Sequence, residues 1–386
     1  MKQMISTWWT WLQRRFPVLL SYGIVVVTFA VGYLAVARTR PLFQPDARYY
    51  LAMSFWFSGD SQEAAHARLT EYLAPIGMEV PSLDLLFGWG LVQPRVVLPA
   101  LAAPFVKLFG PDGMLIVTGI TALVLTIVLT WLLARRFGYL PAVATMVLVN
   151  ASSRIVWYNV AMLTESLSAL WGALAVFLAW RYRKHRGWKP IAGLVLVTLV
   201  SAFTRQATFI VAGAFVLAWL IGSIIERRNS TWAAPALVVS ATAIGAQLLQ
   251  SLIFPSFSQL DQFLKQAGVE TLGEAILAVP GMALRLLKTD LRTFMEEDHA
   301  LLIIIVLAAI SAVLFWKREE SHLLFGAVLG IALYNITNGV PTTFRYAMPG
   351  LVFFVLATAV ILARTARPLD VLRDPAGTPT AASPRS

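Results

Sequence analysis

The segment 44–54, QPDARYYLAMS, places an acid, an arginine and two tyrosines directly after the first long apolar run of the chain. Helical spacing from Asp46 aligns Tyr50, Met53 and Phe57, so the carboxylate projects beside an aromatic face. Pro45 suits a helix start, which puts Asp46 in the first turn, near the positive end of the dipole. Taken alone, Asp46 also reads as an ordinary helix-terminus acid. Glu165, Arg205 and Arg345 are further ionisable groups within or beside apolar runs, where charge is costly. Helix rise places Glu165 and Arg205 about 24 Å, and Arg345 about 28 Å, above the basic clusters at the far ends of their helices. Acids and guanidiniums at matched depth define a polar cavity sunk into one leaflet. Arginine pairs bidentately with phosphate, so such a cavity suits a substrate that is half lipid and half phosphate-linked polar group. The competing reading is that each is a snorkelling interface charge, which fits any one arginine better than it fits the whole set.

The elements that must position these groups are membrane helices. With 58% hydrophobic and 13% charged residues over 386 positions, the chain is a polytopic membrane protein, not a soluble domain. The net charge of +11 does not indicate nucleic acid, because Lys and Arg collect at the ends of apolar runs. With no cysteine, disulfides, thiol catalysis and cysteine metal sites are excluded. Ten runs are apolar enough to cross a bilayer, at about 17–37, 114–134, 140–153, 163–180, 191–203, 207–225, 234–254, 300–316, 323–338 and 347–363. The first has no cleavage site after it and reads as a retained helix.

Assigning both termini to the cytoplasm puts every basic cluster on that side, including RYRKHRGWK at 181–189. The alternation requires that 96–109, broken by Pro99 and Pro104, lie in the interface. Two long outer loops follow, at about 38–112 and 255–299, and amphipathic helices are expected in the second. The expected organisation is one membrane domain, 1–366, without internal repeat, and a disordered cytoplasmic tail, 367–386. The runs 140–153 and 191–203 are short and meet Arg154 and Arg205, which implies water-accessible space at their ends.

Several segments carry a family resemblance: PDARYYLAMS after the first helix, PRVVLPALAAPFVKLFG and TALVLTIVLTWLLARRFG, NVAMLTESLSALWGALAVFLAW, SAFTRQATFIVAG, and TTFRYAMPGLVFF. In this order, from about residue 17 to 363, they resemble the GT-C superfamily of integral-membrane glycosyltransferases. Within that superfamily they resemble the group of protein mannosyltransferases, lipid A aminoarabinose transferases and mycobacterial mannosyltransferases. The resemblance implies an all-α fold and transfer of a sugar from a polyprenyl-phosphate donor to a hydroxyl of a lipid, glycan or protein acceptor. It places the chemistry on the extracytoplasmic face of the cell membrane. Asp46 would be the general base, and the departing phosphate would be held by Arg345 first, then Arg205 and Arg95. One base and one opposite-face leaving group imply a single displacement with inversion.

Tyr50 and Tyr346 flank these groups in sequence. Glu165, with Thr164 and Asn159, would bind sugar hydroxyls or orient the acceptor; it reads as well as a helix-end acid paired with Arg154 or Arg205. His299 would assist proton transfer at the rim, although EEDHA at 296–300 fits a solvated charged face better. Many relatives carry two adjacent acids where Asp46 is followed by Ala47, so no cofactor is expected and a divalent metal is not favoured. The alternative is a transporter or flippase of a lipid-linked or anionic substrate, against which stand the missing repeat and charges gathered toward one surface. A membrane scaffold would not need the matched charges. An acyltransferase would want a catalytic histidine, and only His66 and His299 lie on the outer side.

Overall fold

In the computed structural model, the backbone is described for residues 2–227, 230–339, 341 and 343–371, and side chains for 17–227, 230–339, 341 and 343–365. Over these residues the regular structure is entirely helical. Helix α1 (Lys2–Thr39) leads into four short helices: α2 (Ala47–Phe57), α3 (Gln62–Leu73), α4 (Leu83–Gly88) and α5 (Val97–Phe109). A run of longer helices follows: α6 (Gly113–Phe137), the bent pair α7 (Tyr139–Ala151) and α8 (Ser153–Val160), α9 (Glu165–His185), α10 (Trp188–Thr204), α11 (Thr208–Glu226) and α12 (Ala233–Ile253). Then come α13 (Gln259–Ala267), α14 (Leu272–Glu297), α15 (His299–Leu314), α16 (Glu319–Asn338), a 3-10 segment Arg345–Gly350, and α17 (Leu351–Val371).

Each of the ten apolar runs lies on a helix, but helix length and composition support fewer crossings. Among the described residues five helical segments are long and apolar enough to span a membrane, or seven if each sharply bent pair is one span. Helices α5, α10 and α15 are shorter apolar helices. The run 140–153 is not one straight span, since the chain turns by 77° between α7 and α8. The Ser152 hydroxyl accepts from Ile155 N at 3.1 Å and so caps α8. Buried Asp298 accepts from Ser152 Oγ and Arg154 N, each at 2.8 Å, so the break leaves its polar groups partnered. Arg154, next to the break, pairs with Glu297. The 255–299 region holds α13 and α14, and α14 exposes Leu277, Leu284, Leu287 and Met295 while burying Ala275, Met282, Leu286 and Phe294. Helix α17 continues to Val371, so the first five residues of the expected tail are helical; 372–386 lie outside the described residues.

The core is built around α17, whose residues 351–360 are all buried and which packs against α15, α7, α16, α9 and α6. Helices α1 and α12 lie at the margin and turn Leu19, Val27, Val31, Leu237, Leu248 and Leu252 outward, as apolar helices do when the surrounding solvent is hydrocarbon. Close approach needs small residues. A Cβ on Gly326 of α16 would sit 2.3 Å from the Gly213 carbonyl oxygen of α11. One on Gly172 of α9 would sit 2.5 Å from the Pro349 carbonyl oxygen, so only glycine lets the 3-10 segment lie against α9.

Candidate active site

Four interruptions in the helical structure meet at one place. The first is the turn before α2. Asp46 is its N-cap, not a first-turn residue, and its side chain makes no capping hydrogen bond. The turn is fastened instead by Arg48, which donates to the carbonyls of Pro45 at 2.8 Å and Glu79 at 2.6 Å. That leaves the Asp46 carboxylate free to reach Arg345 Nη2 at 2.6 Å. Behind it α2 is almost wholly buried: Tyr50 and Met53 point inward as their spacing predicts, but Phe57 is exposed because the helix ends there.

The second interruption separates α8 from α9, and Glu165 opens α9 with no exposed surface. The third separates α10 from α11. There Arg205 is extended, with φ −160° and ψ 139°, and is 1% exposed. The fourth precedes the 3-10 segment, where Thr343 and Phe344 hold φ of 48° and 77°. Such left-handed conformations cost a non-glycine residue about 1–3 kcal/mol each. Two contacts hold Thr343 there: its N–H donates to Asp290 Oδ1 at 3.1 Å, and its hydroxyl lies 2.6 Å from the Tyr158 hydroxyl. The strained turn delivers Arg345 to the cluster.

One oxygen joins the set. Glu165 Oε1 accepts from Arg205 Nη1 at 2.6 Å and from Arg345 Nε at 2.5 Å, and Arg345 reaches on to Asp46. Arg205 also lies 5.1 Å from the ring centre of Tyr346, whose ring packs on Tyr334 at 4.7 Å. Arg95, 3% exposed, donates to the Tyr50 hydroxyl at 2.8 Å. Three guanidiniums against two carboxylates leave the cluster one positive charge in excess. Several of its polar atoms are buried and unpartnered: Glu165 Oε2, Arg205 Nε and Arg95 Nε. A buried polar atom without a partner costs about 1–3 kcal/mol, so the cluster favours a ligand that brings both acceptors and donors. At Asp46, which lies outside the membrane-crossing helices, burial pushes the pKa up. The guanidiniums, Arg345 foremost and then Arg95, outweigh burial and hold the carboxyl below its ordinary value.

Asp46, Tyr50, Arg95, Glu165, Arg205, Arg345 and Tyr346 are thus gathered in one region. Asn159 is buried on α8 with Oδ1 unpartnered, but it forms no hydrogen bond with the cluster. His299 does not join it. It is exposed at the start of α15, and the neighbouring acids are engaged elsewhere: Asp298 at the α7–α8 break, Glu297 with Arg40 and Arg154. Glu165 pairs with Arg205 and Arg345, not Arg154. Tyr334, Asp290 and Gln206 were not among the expected site residues. A cavity of about 500 Å³ adjoins the cluster through Gln206 and Tyr334 and is lined in part by Phe209, Gln247, Gln250 and Phe257. The buried Oε1 atoms of Gln206 and Gln250 have no partner, which makes them free acceptors for hydroxyl groups. As a metal site the carboxylates fit poorly. The Arg345 guanidinium bridges Asp46 and Glu165, and among the described residues no three His, Asp or Glu side chains lie close enough to hold an ion. The chain matches no protein-family model, curated protein or solved structure.

Proposed function

We propose that the protein is a membrane glycosyltransferase of GT-C type that moves a sugar from a polyprenyl-phosphate donor to an acceptor hydroxyl. The observation that carries this reading is the Asp46–Arg345–Glu165–Arg205 chain, which with buried Arg95 beside it has one positive charge in excess and polar atoms left open. Asp46 takes the acceptor proton as its oxygen attacks the anomeric carbon, and the bond to the lipid phosphate breaks on the opposite face with inversion. Arg345 and Arg205, fixed by Glu165 in a water-poor setting, stabilise the charge that develops on the departing phosphate. Arg95 adds to the positive field, and the amide-lined cavity beside Tyr334 receives a hydroxyl-rich part of donor or acceptor.

In this reading α1, α6, α7 with α8, α9, α10, α11, α12, α15, α16 and α17 form ten crossings, both termini are cytoplasmic, and the cluster opens on the extracytoplasmic side of the cell membrane. The basic ends of α6 and α9 support that orientation. The test is incubation of the purified protein with a panel of radiolabelled polyprenyl-phosphate sugars and extracted membrane lipid or glycan acceptors. Transfer from one donor is expected, reduced at least about a hundredfold in Asp46→Asn, in keeping with loss of a general base. Undiminished transfer by that variant would remove the base assignment. Binding without turnover, together with donor movement across vesicles, would favour a flippase.

A further inference from the structure

A second built feature lies at the other end of the bundle, and its interpretation is independent of the glycosyl-transfer reading. Helix α9 begins at Glu165 in the cluster and ends at His185, twenty residues and about 30 Å away. There it lies beside the last turns of α6, and the two helices line a groove of about 860 Å³. Along both helices the lining changes in the same direction. Toward the middle of the bundle it is apolar: Trp131 and Leu132 on α6, Phe177 and Trp180 on α9, with Trp131 and Phe177 packed edge-to-face at 5.0 Å. Beyond them it is cationic.

Of the cations, Arg136 and Arg183 are committed to structure, since both pair with Glu319, the only carboxylate in the described lining. Arg135, Arg181 and Lys184 also line the groove, are exposed, and have no carboxylate partner among the described residues. Where apolar wall meets basic rim, the Trp180 indole N–H is buried without an acceptor. Scattered interfacial lysines and arginines would need neither a concave wall nor the same apolar-to-basic order on two helices.

We propose that this groove holds the head of an anionic glycerophospholipid, with its acyl chains along the aromatic wall and its phosphate against Arg135, Arg181 and Lys184. The polarity of the groove matches that of an amphiphile entering from the bilayer, tail toward the membrane centre and head toward the aqueous boundary. A free anion would use the rim and leave the aromatic wall bare.

The full chain in detergent micelles can be studied by native mass spectrometry with phosphatidylglycerol and phosphatidylcholine of matched acyl chains. Phosphatidylglycerol should be retained at least tenfold more tightly, and excess inorganic phosphate should not displace it. In Arg135→Gln/Arg181→Gln/Lys184→Gln, which leaves both Glu319 pairs intact, the preference should disappear. Equal retention of the two lipids, displacement by phosphate, or an undiminished preference in the variant would overturn the assignment. Should the triple variant fail to fold, tryptophan quenching by brominated lipids gives an independent answer. The wild type should show extra quenching by the anionic lipid, and Trp131→Phe/Trp180→Phe should lose most of it; quenching that ignores headgroup charge, or is unaffected by that substitution, would refute the site.

Discussion

Glu165 Oε1 is shared by two guanidiniums, which makes Glu165 the residue whose removal harms the site most. Deleting one partner of a buried ion pair leaves an uncompensated charge and costs about 3–5 kcal/mol. Glu165→Ala should therefore lower the melting temperature in detergent markedly, whereas Asp46→Asn, at the more exposed end of the chain, should lower it by less. A second prediction concerns acid. The depressed Asp46 pKa means that its contribution to stability is complete above the unfolded-state value and is lost as pH falls through the lower folded value. By the same sign, kcat/KM should hold steady through the usual carboxylate range and decline only below it; a decline centred at or above that range would show that Asp46 is not the titrating group. At this scale Asp46, Glu165, Arg205 and Arg345 were legible because charge stands out against apolar runs. Tyr334 and Asp290 were not, since a tyrosine on a helix and an acid on an amphipathic face carry no signal until tertiary contacts pair them with Tyr346 and Thr343.

Elements matter here for where they stop. None of the five cluster charges sits in mid-helix; each lies at a helix end or in a break, where irregular backbone is tolerated because it borders a cavity. The position of Arg345 depends on α9 through Gly172 and Pro349. Gly172→Val should push the 3-10 segment away from α9, lower the melting temperature and reduce turnover together. Full activity in that variant would show that the contact does not position Arg345. The helices themselves follow the apolar periodicity. The 77° turn at Ser152 does not, because it depends on Asp298, 146 residues away in sequence.

For the whole molecule, the absence of cysteine turns topology into a direct measurement. Single cysteines at Thr70 in α3 and His185 at the end of α9 should react with a membrane-impermeant maleimide from opposite sides of sealed vesicles. Labelling of both from one side would overturn the orientation proposed for the cluster and the basic groove alike. The sequence outlined a multi-pass helical protein through composition alone. It reads as ten crossings, whereas helix length and composition among the described residues support five to seven, since helices such as α10 and α15, with 17 and 16 residues, are too short to count as spans by themselves.

The Asp46–Arg345 contact bears on timing. A carboxylate locked to a guanidinium is a feeble proton acceptor, so in the resting protein the proposed base is muted. Under the proposed function an incoming phosphate would compete for the same arginine, and drawing Arg345 away would restore the basicity of Asp46. In the proposed reaction the base would thereby become competent only once a donor phosphate has been seated beside it.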